Sequence, residues 1–224
     1  MELLTYQDIQ IMVLRHTKNP GDLVKKACDL TQKKRIYPQS SSKEYSSEEL
    51  LRFLVTAGHG SVLEHVSWTF YLQNVSRSLL AQITRHRMSS FTSASQHYAD
   101  YRDMPMVVHP LDGETLDSAL EEVLGVYEWL IDVKCMPPEE ARQILPNAAA
   151  VNLIWTVNAR SLANFFEQRL CKRNTAEMVT VAAKIWDKVS HMWPEYAQAV
   201  GPACYMYGKC NQGKMSCGEP YSHD

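Results

Sequence analysis

The chain has 224 residues, 45% hydrophobic and 21% charged, with a formal net charge of -2. That length is enough for a full core and predicts one domain over residues 1–200, followed by a Cys- and Gly-rich tail at 201–224. The slight acidity argues against bulk electrostatic attachment to nucleic acid or anionic membrane, so any basic site must be local. In chain order, Tyr6 to Leu14 is rich in β-formers and predicts a strand. Gly21 to Gln32 carries Leu23, Val24, Ala27 and Leu30 at helical spacing. Ser46 and Glu49 have capping-box spacing ahead of a helix striped by Leu50, Leu51, Leu54 and Val55, with Gly58 as its stop. From His65 to Leu72, the apolar Val66, Trp68, Phe70 and Leu72 alternate with His65, Ser67, Thr69 and Tyr71, the pattern of a half-buried strand.

Leu79, Leu80 and Ile83 predict a helix running into TRHRMSSFTSASQHYADYR, Thr84 to Arg102, a stretch dense in cations and hydroxyls that reads as a loop. Met104 to Val108 is a short strand or extended connection, and Thr115 to Asp132 an amphipathic helix. Pro137-Pro138-Glu139-Glu140 suits a helix start. Asn152 to Val157 reads as either a strand or the approach to the next helix. Ser161 to Leu170 and Ala176 to Met192 are helical, the second closed by Pro194, and the tail after Gly201 is irregular. The sum is a mixed α/β (α+β) arrangement with more helices than strands. The start lacks the apolar core of a signal peptide, and no apolar run approaches a bilayer span. Six cysteines without secretory features predict reduced thiols and a cytoplasmic location.

The chain has no phosphate-binding P-loop, no G-x-G-x-x-G after a strand and no H-E-x-x-H. His59 and His65 flank Glu64, but their spacing does not put both rings on one helical face, and the tail cysteines Cys204, Cys210 and Cys217 form no C-x-x-C pair. No metal is therefore expected, although a zinc site in the tail stays open. Arg85-His86-Arg87, followed by Ser89, Ser90, Thr92, Ser93 and Ser95, supplies guanidinium forks and hydroxyls suited to phosphate oxygens. An exposed charged helix end reads the same way. In WTVNARSLANFFEQRL, Asn158, Arg160, Asn164 and Arg169 lie beside Leu162, Phe165 and Phe166. Amides and arginines next to aromatics suit a planar polar heterocycle, and equally the outer face of an amphipathic helix.

Taken together, these segments resemble the flavin-dependent thymidylate synthases. The family's hallmark is RHR, seven residues, then serine, here Arg85-His86-Arg87 through to Ser95. GHGSVLEHVSWTFYL upstream, ARQILP and NARSLANFFEQRL downstream, and the tail GPACYMYGKCNQGKMSCG resemble further family blocks in the right order. The resemblance implies a central, mostly antiparallel sheet flanked by helices. It implies reductive methylation of dUMP to dTMP, with methylenetetrahydrofolate as carbon donor, reduced FAD as hydride donor and NADPH recharging the flavin. It also implies a homotetramer whose flavin sites are shared between chains. By position, His59, Ser61, Arg85, His86, Arg87, Ser93, Asn158, Ala159, Arg160 and Asn164 would hold FAD, His59 lying near the flavin ring and the folate. Gln82, Ile83, Thr84, Arg85, Ser93, Ala94, Ser95, Gln96, His97, Arg142 and Arg169 would surround dUMP. Arg169 takes the catalytic place: a permanent cation at the pyrimidine edge stabilises the anion that makes C5 nucleophilic. No cysteine nucleophile is required, so the six cysteines, Cys171 included, carry no catalytic role.

The chain departs from the longer family pattern at Thr92, Ser93 and His97. Ser93 is shorter than the usual acid or glutamine, and His97 stands where arginine is usual. Histidine is only partly protonated at neutral pH, which implies dUMP binding that weakens as pH rises through the imidazole range. These two positions leave open methylation or hydroxymethylation of another pyrimidine monophosphate. A non-catalytic RNA- or partner-binding module would use the same arginine patches, but the acidic net charge and the lack of an aromatic stacking platform oppose it.

Overall fold

The computed structural model describes residues 2–31, 47–95, 101–102, 104–110 and 114–221. Its elements in chain order are β1 (Leu3–Thr5), β2 (Gln10–His16), α1 (Pro20–Thr31), α2 (Ser47–Thr56), a 3₁₀ turn (Gly60–His65), β3 (Ser67–Ser76), α3 (Arg77–Ile83), β4 (Ser89–Ser93) and β5 (Met106–Val108). There follow α4 (Glu114–Asp132), α5 (Pro138–Ala141), a 3₁₀ turn (Arg142–Ile144), β6 (Ala150–Asn158), α6 (Ala159–Arg169), α7 (Ala176–Met192), α8 (Pro194–Ala199) and α9 (Ala203–Tyr207). The fold class agrees with expectation: helices around an antiparallel four-stranded sheet of order β2-β3-β6-β4. A separate parallel pair joins β1 to β5, Leu4 opposite Val107. No described helix is long and apolar enough to cross a membrane.

The chain divides into two compact units, and β2, β3 and β6 each pass from one into the other. The first unit comprises Met1–Met12, Tyr71–Arg87 and Phe91–Trp155. Its core gathers Tyr101, Met106, Val108, Leu120, Leu124 and Tyr127 under α4. The expected amphipathic helix thus delivers its stripe to this core, while Phe91 of β4 stacks on Trp155 of β6 at 5.9 Å. The second unit comprises Val13–Phe70, Met88–Ser90 and Thr156–Asp224. Leu51 and Leu54 of α2, Phe165 and Phe166 of α6, and Met178, Val181 and Ile185 of α7 are buried there. Trp193 stacks on Tyr196 at 5.0 Å and faces Trp68 at 6.3 Å.

β3 follows the predicted alternation: Trp68, Phe70 and Leu72 are buried while Ser67, Thr69 and Tyr71 are partly exposed. It starts later than expected, because His65 closes the 3₁₀ turn. The strand predicted over Tyr6 to Leu14 is β2, starting later at Gln10 and running on to His16, with a separate short strand β1, Leu3–Thr5, before it. Asp8 lies between the two, its carboxylate accepting from the Thr5 backbone N–H at 2.7 Å and the Thr5 hydroxyl at 2.9 Å. The open reading at Asn152 to Val157 resolves as strand β6, with Val151, Leu153, Trp155 and Val157 buried. Part of the stretch read as a loop, Ser89 to Ser93, is strand β4, and the tail read as irregular begins with α9. The expected cap Ser46 lies outside the described residues.

Candidate functional site

Two ends of α6 and the turn before β3 carry most of the second unit's predicted site residues. Asn158 caps α6, its Oδ1 accepting the Ser161 N–H at 2.8 Å. Ala159 fixes the helix entry, donating its N–H to the Val66 carbonyl at 2.8 Å while its own carbonyl accepts from the Tyr196 hydroxyl at 2.5 Å. Burial holds the Tyr196 phenol well above its ordinary pKa, so it stays a neutral donor. The Ala159 side chain is buried and both its backbone polar groups are engaged.

Arg160 projects from the first turn of α6 and its Nη1 donates to Glu64 Oε1 at 2.7 Å. Both side chains are about half exposed, so the pair contributes at most about 1 kcal/mol of stability. Its consequence is orientation. The Arg160 stem passes over buried Gly60, where an added Cβ would lie 3.0–3.1 Å from Cγ, Cδ and Nε. A bare glycine is what lets the guanidinium cross this turn, between the predicted residues His59 and Ser61, both exposed. His59 packs its ring on Phe53, centroids 5.3 Å apart. Gly60→Ala should displace Arg160 by a few tenths of an ångström and leave the fold intact. The family resemblance implies that Arg160 holds FAD, so flavin titration should then show affinity lower by about fivefold, equivalent to about 1 kcal/mol; an unchanged titration curve would separate Arg160 from the flavin.

At the other end of α6, Arg169 is half-buried, and desolvation draws its guanidinium below the ordinary arginine pKa while leaving it a cation. Its Nη1 donates to Asn174 Oδ1 at 3.2 Å. Asn164 sits exposed midway, its Oδ1 accepting from Gln168 at 3.0 Å. A cavity of about 260 Å³ opens beside this end, lined by Gln168, Cys171, Asn174 and Cys204 among others. Cys210 also lines it, its thiol pKa lowered by the Ser216 side chain and the Gln212 backbone. Among the described residues, no three His, Cys, Asp or Glu side chains stand together as a metal site.

In the first unit, Ser76 caps α3 by accepting the Leu79 N–H at 3.0 Å. The helix winds down through Arg85 and His86, whose N–H groups donate to the Gln82 and Ile83 carbonyls. The cation triplet therefore lies in the turn just past α3, whose last turn itself holds no basic residue. Ile83 is fully buried, and Thr84 spends its hydroxyl on the Leu80 carbonyl at 2.8 Å. Arg85 and Arg87 are exposed, and neither pairs with a carboxylate among the described residues. Ser93, Ala94 and Ser95 are exposed at the end of β4, held by the Ala94 N–H on the Asn152 carbonyl at 3.1 Å. Arg142, partly exposed, opens the 3₁₀ turn after α5. Gln96 and His97 lie outside the described residues.

The second unit thus brings His59, Ser61, Asn158 and Arg160 to one turn and sets Arg169 nine residues along the same helix, about 13 Å away at 1.5 Å per residue. The first unit sets Gln82 and Ile83 in the last turn of α3 and Thr84 to Arg87 just past it. Sequence reasoning missed two participants, Glu64 and Asn174. Glu64 meets Arg160 across 96 positions, which no local pattern announces. Asn174 carries a weak signal: asparagine just past a helix end commonly closes the final turn.

Residues 12–195 match the family described as thymidylate synthase complementing protein. The flavin-dependent thymidylate synthase of Geobacter sulfurreducens is 33% identical over 222 residues, covering 94% of each chain. That of Clostridium tetani is 31% identical over 235 residues, again covering 94% of each. Among solved structures, a UMP/dUMP methylase, PolB of Streptomyces cacaoi bound with 5-Br dUMP, superposes with a TM-score of 0.75 at 23% identity, covering 89% of this chain and 96% of that one. The flavin-dependent thymidylate synthase ThyX of Helicobacter pylori, complexed with FAD and dUMP, gives 0.71 at 21% identity, covering 86% and 99%.

Proposed function

Because this chain belongs to the thymidylate synthase complementing protein family, the flavin-dependent thymidylate synthases, we propose that it methylates dUMP to dTMP reductively, with FAD as cofactor. The observation that carries the reading is the pair of exposed cations without acidic partners among the described residues, Arg85 and Arg87, in a chain of net charge -2. Cations left uncompensated on an acidic protein suit anionic ligands such as a pyrophosphate or a nucleotide phosphate.

The donor set fits FAD. Arg85 and Arg87 offer guanidinium forks to phosphate oxygens, and His86 stands between them. Asn158 has its amide nitrogen available, since Oδ1 is the atom that caps the helix. Arg160 is charge-compensated by Glu64 and held flat over Gly60, which suits it to the planar part of the dinucleotide rather than to phosphate. Ser61, Ser93 and Asn164 add exposed polar groups, and His59 flanks the flavin ring and the folate. When bound, FAD supplies the hydride that completes the methyl group.

The chain's own residues prepare the pyrimidine. Ser93, Ala94, Ser95 and Arg142 meet the nucleotide, joined by Gln82, Gln96 and His97. The Ile83 side chain is buried, and the Thr84 hydroxyl is committed to the helix, so these two shape the pocket. Arg169 stands at the pyrimidine edge, where its charge stabilises the electron-rich ring whose C5 takes up the carbon unit. Methylenetetrahydrofolate provides that carbon and NADPH the reducing equivalents. Four chains assemble to share the sites, a reading supported by exposed Met12, Leu14 and Ile154 on the solvent side of β2 and β6. Six free cysteines support a reducing, cytoplasmic setting.

The purified protein should show a flavin spectrum, or acquire one with added FAD, and should form dTMP under reducing conditions only with methylenetetrahydrofolate present. A protein unable to bind flavin would point instead to a non-catalytic module. Ser93, with its short exposed side chain, favours a second reading in which another pyrimidine monophosphate is methylated or hydroxymethylated. Product analysis with dUMP against dCMP separates the two.

A further inference from the structure

We propose that Phe53 is a positioning residue for His59, its ring steadying the imidazole by packing alone so that both ring nitrogens are left to the ligand. This rests on the reading of His59 as the residue that flanks the flavin ring and the folate. The geometry begins on α2, which buries Leu51 and Leu54. Phe53, between them in sequence, is 55% exposed, so core packing does not hold its ring. Past Phe53 the helix closes. The Ala57 N–H donates to the Phe53 carbonyl at 2.9 Å and the Gly58 N–H to the Val55 carbonyl at 3.4 Å. Gly58 then takes a φ of +77°, the left-handed conformation that stops a helix and that glycine adopts without strain. The chain is thereby turned so that His59 meets Phe53, six positions back, with ring centroids 5.3 Å apart and planes inclined by 40°.

Among the described residues, that ring contact is what steadies the imidazole. His59 opens the 3₁₀ turn without a side-chain capping bond, and no hydrogen bond or ion pair within the described part of the chain occupies its nitrogens. Two other exposed histidines are held differently: His16 and His191 each set Nδ1 against a backbone carbonyl, at 3.2 and 2.8 Å. A histidine fixed in that way commits one nitrogen and has its tautomer chosen by the partner. One fixed by an aromatic neighbour commits neither. The rotamer freedom of the ring is then lost on folding and not on binding, which favours the ligand. The next residue, Gly60, is the one crossed by the Arg160 stem, so the imidazole is steadied directly beside the place where that arginine lies.

A double-variant cycle on the flavin-loaded protein tests this. Folic acid serves as an unreactive probe, titrated by the change it makes in the flavin absorbance, with KM for methylenetetrahydrofolate measured beside it. Phe53→Ala should weaken folic acid binding and raise that KM, each by roughly three- to tenfold. Phe53→Tyr, which keeps the ring, should match the parent. Phe53→Ala made in a His59→Ala background should have no further effect, because the group it acts through is gone. The melting temperature of Phe53→Ala should stay near that of the parent, since its side chain is exposed. An equal loss in both backgrounds would mean that Phe53 acts on the ligand or the fold directly, and would overturn the assignment. Parental binding and KM in Phe53→Ala, with His59→Ala impaired, would overturn it too while leaving His59 in the site. Parental binding by His59→Ala would remove the reading beneath the proposal, and a protein that takes up no flavin would remove the proposed function with it.

Discussion

Arg169→Ala should lower kcat by at least about 10³-fold while leaving the flavin bound. Removing a single preorganised donor to a developing anion typically costs 10²–10³ in rate. Here a full charge goes with it, from a half-buried position where desolvation strengthens its field. Flavin should stay because the residues proposed to hold it on α6, Asn158, Arg160 and Asn164, lie one or more turns toward the other end. Arg169→Lys should recover little, since a point charge on a flexible stem cannot reproduce a planar fork seated on Asn174. Turnover by Arg169→Ala within tenfold of the parent, measured as dTMP formed under saturating dUMP, would end its catalytic assignment. Loss of flavin from the variant would instead place Arg169 in the structure of the site.

The residues that made parts of this fold legible are those whose signal is local. Alternation at Val66 to Leu72 announces β3 because each apolar side chain has a polar neighbour on the exposed face. β6 hides the same alternation because Ile154, an outward residue, is itself apolar and fills the gap between Leu153 and Trp155. β4 hides for the opposite reason. Its sequence, SSFTS, contains one apolar residue, and what makes it a strand is its neighbour: Phe91 stacks on Trp155, and Ala94 donates to Asn152. Between β1 and β2 the Asp8 carboxylate accepts from the Thr5 N–H, inside a run of good β-formers.

The candidate site divides along the same line. Arg85, Arg87, Arg160 and Arg169 were legible as residue types, and the family blocks fixed their order. What holds them was not. Glu64 stands among histidines in a motif that invites a metal reading, yet its partner is Arg160, reached because Gly60 leaves room for the stem. Asn174 lies outside every family block, and the turn after α6 brings its amide back to Arg169, five positions earlier. Charged groups can be read from a chain; what orients them, a distant carboxylate at Arg160 and a turn at Arg169, needs the folded geometry.

The double variant Arg85→Ala/Arg87→Ala should lose FAD binding by about 10³-fold and dUMP binding, which draws on Arg85 alone, by roughly 10- to 100-fold, with melting temperature nearly unchanged. Each charge-assisted hydrogen bond contributes roughly 1.5–3 kcal/mol, and two such losses give about 3–6 kcal/mol if they add. Stability should be spared because both side chains are exposed and neither is paired with a carboxylate among the described residues. The same exposure gives a second readout, ionic strength. Binding by the parent should weaken as salt rises through about 0.1–0.5 M, and the double variant should respond far less, because the charges being screened are gone. Arg160→Ala offers the contrast. Its charge is already compensated by Glu64, so its loss should weaken flavin binding while leaving the salt dependence nearly that of the parent. Equal salt slopes for the parent and the Arg85/Arg87 double variant would place the phosphates elsewhere on the protein.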